Sequence, residues 1–134
     1  TERSHHFYTT LLGIEYKGES YNKGNEQEHL NNVEGASLHI TGHRAAKGIG
    51  VEFLEYLLPG PGQLYPADTR ADDLWFWQTI LFVDDAEAIY NKLKAEGFSF
   101  VSKTLVHQQL KNKHTISFIV KDPDGHAVKI VQTL

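Results

Sequence analysis

Eight histidines and no cysteine set the range of chemistry open to this 134-residue chain. Disulfides, thiolate nucleophiles, iron–sulfur clusters and Cys-ligated zinc are excluded, so any catalysis must rest on imidazoles, carboxylates, amides and hydroxyls. His39 and His43 stand four residues apart. On a strand that spacing is roughly 13 Å, too far for one ion, and both read as surface residues. His5 and His6 are neighbours on a helix and diverge. His107 and His114 flank an irregular stretch, and His126 follows a turn; each has the right pKa range for an acid or base, although an isolated histidine usually has no such role. Asp122-x-Asp124-Gly125 begins like a calcium loop but lacks the later oxygen ligands and the Glu at the twelfth position, so it reads as a turn. Gly48-x-Gly50 lacks the third glycine of a dinucleotide fingerprint, and no serine sits in a G-x-S-x-G elbow. Glu26-Gln27-Glu28-His29, the densest polar cluster, reads as a solvated loop.

A formal net charge of −4 with 13 scattered Lys and Arg lacks the electrostatic footprint of a nucleic-acid binder. No apolar run approaches the roughly 20 residues that cross a bilayer, and the first residues lack the order of a secretory signal. The expected setting is the cytoplasm, with a small organic molecule as partner and neither nucleic acid nor membrane. With 40% hydrophobic and 22% charged residues, the chain can bury one core, and it reads as a single domain over 1–134.

The elements that must position these groups follow from periodicity. Phe7, Tyr8 and Leu11 mark a helix that begins near Thr1 and is capped by Gly13. Ile14 to Lys17 reads as a short strand and Gly18 to Asn32 as a long loop. Ala36 to Thr41 alternates as a half-buried strand. A turn around Lys47 to Gly50 leads to a branched, aromatic strand from Val51 to Leu58, stopped by Pro59-Gly60-Pro61-Gly62. Module one thus covers about 1–62, and 63–74 reads as a linker to module two, 75–134. There, Gln78 to Val83 is a strand, and Asp84 with Glu87 forms a capping box for a helix with Ala86, Ile89, Tyr90 and Leu93 on its buried stripe, ended by Gly97. Phe98 to Val101 is strand-like. Thr115 to Val120 and His126 to Val131 flank Asp122-Pro123-Asp124-Gly125 as a hairpin.

The halves repeat. Phe7-Tyr8-x-x-Leu11 with Gly13 echoes Ile89-Tyr90-x-x-Leu93 with Gly97, and Val51-Glu52-Phe53-Leu54 echoes Val128-Lys129-Ile130-Val131. The second half opens with a strand and the first with a helix, so a first strand is expected upstream of Thr1.

Two β-α-β-β-β modules, the Phe7 to Gly13 helix end and the Asp122 to Gly125 hairpin together resemble the vicinal oxygen chelate superfamily of glyoxalase I, bleomycin-resistance proteins and extradiol dioxygenases. The resemblance implies an α+β fold of paired modules forming a cup-shaped mixed sheet, with a lyase, isomerase or dioxygenase activity, or a non-catalytic role in sequestering a metabolite or drug. It also implies a homodimer and a divalent metal. Carried over by position, the metal ligands would be one residue upstream of Thr1, then Glu52, Gln78 and the position of Lys129, where an ammonium interrupts the set. Without the metal, Glu52 and Lys129 are the implied catalytic residues, Glu52 as base and Lys129 or Gln78 stabilising negative charge. Strand parity then adds Leu54 and Tyr56 beside Glu52 and Ile80 and Phe82 beside Gln78. Pairing Lys121 with His126 sets Phe118 opposite Lys129. Trp77 completes the expected substrate-binding set.

Overall fold

The computed structural model describes residues 2–48, 50–60 and 62–134, and builds them as an α+β chain with two sheets. Thr1, Ile49 and Pro61, which fall in the expected helix start, turn and strand stop, lie outside the described residues. Contacts divide the chain into two units, Thr1–Gln63 and Leu64–Leu134. Among the described residues no helix is long and apolar enough to cross a membrane.

In the first unit, helix α1 (Glu2–His5) continues as a π-helical segment, His6–Leu11. The Leu12 amide donates to the Phe7 carbonyl five residues back, at 3.1 Å, which is the bond of a widened turn. Phe7, Tyr8 and Leu11 are buried, as their spacing requires, and Gly13 ends the segment at φ 73°. Three antiparallel strands follow in the order β1 (Glu15–Lys23), β2 (Ser37–Arg44) and β3 (Gly50–Leu58). Strand β1 starts within the expected strand Ile14 to Lys17, but its continuation to Lys23 and helix α2 (Asn25–Asn31) occupy the stretch expected to be a loop. Periodicity missed them because β1 is a largely exposed edge strand, and α2 is held by polar contacts. Gln27, the buried residue of α2, accepts a bond from Asn22 Nδ2 at 3.1 Å and donates to Asn31.

The second unit runs β4 (Gln78–Phe82), α3 (Ala86–Ala95), β5 (Val106–Leu110), β6 (Lys113–Lys121) and β7 (Ala127–Thr133). Its sheet order is β4-β7-β6-β5, with β4 parallel to β7. A parallel neighbour needs a crossover, and α3 supplies it. The cap of α3 is Asp85, whose Oδ1 accepts from the Ala88 amide at 2.9 Å, and not Asp84 as the Asp84/Glu87 spacing implied. Replacing Asp85 with alanine is expected to cost about 1 kcal/mol, read as a lower unfolding midpoint. Phe98 to Val101 makes only an isolated bridge, Phe100 to Val120, because the Ile119 amide is taken by the Ser102 hydroxyl at 2.8 Å. The strand instead forms at β5, where two apolar residues in five gave no periodic signal.

The core of this unit is Leu93, Phe118, Val120, Val128 and Ile130, all fully buried. The Phe118 ring lies 5.3 Å from Tyr90 on α3 and 5.7 Å from Phe100. Residues 64–74, expected as a linker, pack on the β6–β7 hairpin. Lys121 Nζ donates to the Ala67 carbonyl at 3.3 Å, and a Cβ at Gly125, itself at φ 95°, would stand 3.2 Å from Tyr65 Cβ.

Candidate functional site

Pairing register assigns each strand residue to one of two faces, because residues directly opposite share a face. In the first unit Phe53 lies 4.6 Å from the Tyr8 ring, so the π-helical segment covers the face bearing Val51, Phe53 and Glu55. Glu52, Leu54 and Tyr56 therefore alternate onto the opposite face. There the strands form three rows: Gly18–Gly42–Glu52, Ser20–Ile40–Leu54 and Asn22–Leu38–Tyr56. Glu52 is exposed and Leu54 is 43% exposed, which leaves a carboxylate next to an accessible apolar row. The parity expected for Glu52, Leu54 and Tyr56 thus holds within this unit.

In the second unit Phe118 and Ile130 pair, and Phe118 packs on Tyr90 of α3, so that face is the helix side. The other face carries the rows Gln78–Ala127–Lys121, Ile80–Lys129–Ile119 and Phe82–Val131–Ser117. Gln78, Ile80 and Phe82 share a face with Lys129, as parity requires. The Phe118 assignment is corrected. Lys121 pairs with Ala127 and not with His126, and a one-residue shift moves every side chain of β6 to the other face. Phe118 is 1% exposed in the core, and Ile119 takes its place beside Lys129. Lys129, half-buried, pairs with Ile80 on one side and Ile119 on the other.

The repeat is matched in three dimensions at these two positions. Glu52 and Lys129 each lie on the last strand of a three-strand antiparallel series, on the face opposite the π-helical segment in the first unit and opposite α3 in the second.

Three histidine clusters went unread in the sequence. His43 is 3% exposed, not a surface residue, and its Nε2 lies 3.3 Å from His5 Nδ1 while Tyr16 and Phe53 crowd the ring. Among the described residues the buried Thr41 hydroxyl finds no hydrogen-bond partner. His39 is half-buried and bridges Glu19 at 2.8 Å and Glu55 at 3.5 Å, stacked on Tyr21. At the end of the second sheet, Asp122 holds the hairpin. Its Oδ1 accepts from the Asp124 and His126 amides, both at 2.9 Å, and its Oδ2 lies 3.4 Å from His126 Nδ1. Tyr65 and Trp77 flank the His126 ring at 5.2 and 4.9 Å, and Trp77 is 52% exposed. The D-P-D-G turn followed by His was the available signal for this dyad, but the aromatic neighbours come from a segment without periodicity.

These histidines respond to pH in opposite senses. Burial, and then the neighbouring His5, lower the His43 pKa below the ordinary 6.5; a hydrogen bond to Asp122 raises that of His126. The His43 contribution to stability is complete above the ordinary value and is lost as pH falls through the lowered folded value. The His126 contribution is complete below the ordinary value and is lost as pH rises through the raised one. Hydrogen exchange across pH about 5 to 8 should show the first unit loosening toward acid and the tip of the second toward base. His43→Phe and His126→Phe should each flatten one limb.

The family is decided by a sequence match. The model of the Glyoxalase/Bleomycin resistance protein/Dioxygenase superfamily matches residues 1–130. The chain belongs to this superfamily. Comparison with curated proteins returns no match. Among solved structures, a glyoxalase family protein from Bacillus cereus is similar with a TM-score of 0.78 at 15% identity, over 93% of this chain and 81% of that one. A glyoxalase family protein from Enterococcus faecalis gives 0.59 at 15%, over 98% and 87%. The trypanothione-dependent glyoxalase I of Leishmania major gives 0.55 at 14%, over 98% and 77%. At these identities the structures share the fold.

Membership brings the divalent metal of the resemblance to a test against the donors present. Lys129, at the fourth ligand position, has three donors and no lone pair while charged, and its row neighbours are isoleucines. Among the described residues no three His, Asp or Glu converge as a metal site. The Lys129 position does not fit the metal.

Proposed function

We propose that this superfamily member binds a small carbonyl-bearing organic molecule, with Glu52 as general base for the proton beside the carbonyl. Lys129 and Gln78 stabilise the negative charge that develops on the oxygen, and Leu54, Tyr56, Ile80 and Trp77 supply apolar contact. The observation that supports this reading is an acid and a base at matching positions of the two repeats. Glu52 and Lys129 fill equivalent places in the two repeats, each on the accessible face of its own sheet. A cytoplasmic, homodimeric protein of lyase or isomerase type belongs to the same proposal. The testing experiment is exchange of the proton next to the carbonyl of the glutathione–methylglyoxal hemithioacetal in deuterated water, followed by NMR. Exchange above background supports the enzyme.

A second reading, sequestration of a metabolite or drug without turnover, is favoured by Lys129 at a metal-ligand position. Tight binding of the hemithioacetal with no exchange would decide for it.

A further inference from the structure

Residues 64–77 form neither helix nor strand, yet they fold back on themselves. Turn bonds join Thr69 to Pro66, Asp73 to Arg70 and Phe76 to Asp73, and the Tyr65 hydroxyl donates to the Trp75 carbonyl at 3.0 Å, which closes the segment into a strap. The strap meets the β6–β7 hairpin through side chains. Lys121 Nζ holds the Ala67 carbonyl, and Tyr65 rests on bare backbone at Gly125, where a Cβ would stand 3.2 Å from Tyr65 Cβ. The His126 ring touches both ends of the strap, Tyr65 edge-on at 5.2 Å and Trp77 tilted by 37° at 4.9 Å.

We propose that His126 is a proton-operated latch: its charged ring, held by Asp122 between Tyr65 and Trp77, keeps the strap on the hairpin, and loss of the proton releases the strap while the sheet stands. An imidazolium beside an aromatic face gains a cation–π attraction that a neutral ring lacks. Asp122 stays with the turn when the ring changes state, because its Oδ1 is bound by the Asp124 and His126 amides while only Oδ2 faces the ring, 3.4 Å from Nδ1. The charged and titratable groups around the ring are Asp122 and Asp124 from the turn, which both favour the proton, and the Tyr65 phenol from the strap, which is engaged with Trp75. Farther along the strap, Arg70 pairs with Asp72 and its amide with Asp73, so these charges are satisfied within it. The hydrogen bond to Asp122 raises the His126 pKa above 6.5, so attachment is complete below that ordinary value and is lost as pH rises through the raised one. The strap runs directly into Gln78, so its release also frees the start of β4, the edge strand of its sheet. The latch needs no ligand and stands whether or not Glu52 acts as a base.

Both tryptophans of the chain lie on the strap, Trp75 57% and Trp77 52% exposed when it is seated. Acrylamide quenching of the full chain therefore reads the latch, and dividing by the fluorescence lifetime removes quenching by the imidazolium itself. The quenching constant should rise about twofold between about pH 6 and 9, as the indoles go from half to full exposure, along a one-proton curve centred above 6.5. His126→Gln, which cannot charge, should give the high value at every pH. His126→Lys, charged throughout, should hold the low value across the range and keeps the test valid if glutamine perturbs the turn. Far-ultraviolet circular dichroism should stay constant. A quenching constant independent of pH, a rise of the same size and midpoint in His126→Gln, or a rise that tracks loss of the sheet signal would overturn the proposal.

Discussion

Glu52→Gln is expected to lower hemithioacetal proton exchange by about 10²- to 10⁴-fold, the range a positioned general base contributes. Glutamine keeps the length and shape of the side chain and removes only its capacity to take a proton. The substitution should leave folding intact, because Glu52 is exposed and its row neighbours are glycines, so no packing contact is lost on that row. Affinity should change much less than rate, which separates loss of the base from loss of the site. A variant that exchanges at the wild-type rate would remove Glu52 from the chemistry.

The largest stability effect is expected at Phe118. Its ring is 1% exposed and packs against Tyr90 and Phe100, so Phe118→Ala removes a large buried volume at a point where helix α3 meets strand β6. A loss of about 3–5 kcal/mol should follow, measured by denaturant unfolding of the second unit's tryptophan signal. Ile119→Ala, one residue along and on the opposite face, should cost distinctly less because Ile119 is only half-buried. The contrast checks the register directly. Had Lys121 paired with His126, the two costs would be reversed.

That register shows how far the sequence could be read. Alternation and the D-P-D-G turn located both strands of the terminal hairpin and its tight turn, yet a turn motif alone leaves the pairing open by one residue. The Asp122 carboxylate settles it, by binding the Asp124 and His126 amides and so drawing His126 into the turn. Long, strongly patterned elements such as β3 and α3 were legible because their burial repeats with the element's own period. The continuation of β1 past Lys17, α2 and β5 were not, since each is held by backbone pairing or amide contacts and little by buried apolar side chains. Site residues divide the same way. Glu52, Leu54 and Tyr56 followed from parity once β3 was located. The His5–His43 contact joins a helix to a strand 38 residues away, and no local pattern encodes it.

The central claim, that ligand binds on the sheet faces turned away from the packed helices, is tested most directly by mapping amide shifts in the Glu52→Gln protein as the hemithioacetal is added. Removing the base keeps the ligand unconverted during the titration. The account predicts shifts at Gly42, position 52 and Leu54 in the first unit and at Ile80, Lys129 and Val131 in the second. Shifts confined to α3 and the Tyr90–Phe100 side of the second sheet, with those six positions unmoved, would contradict it.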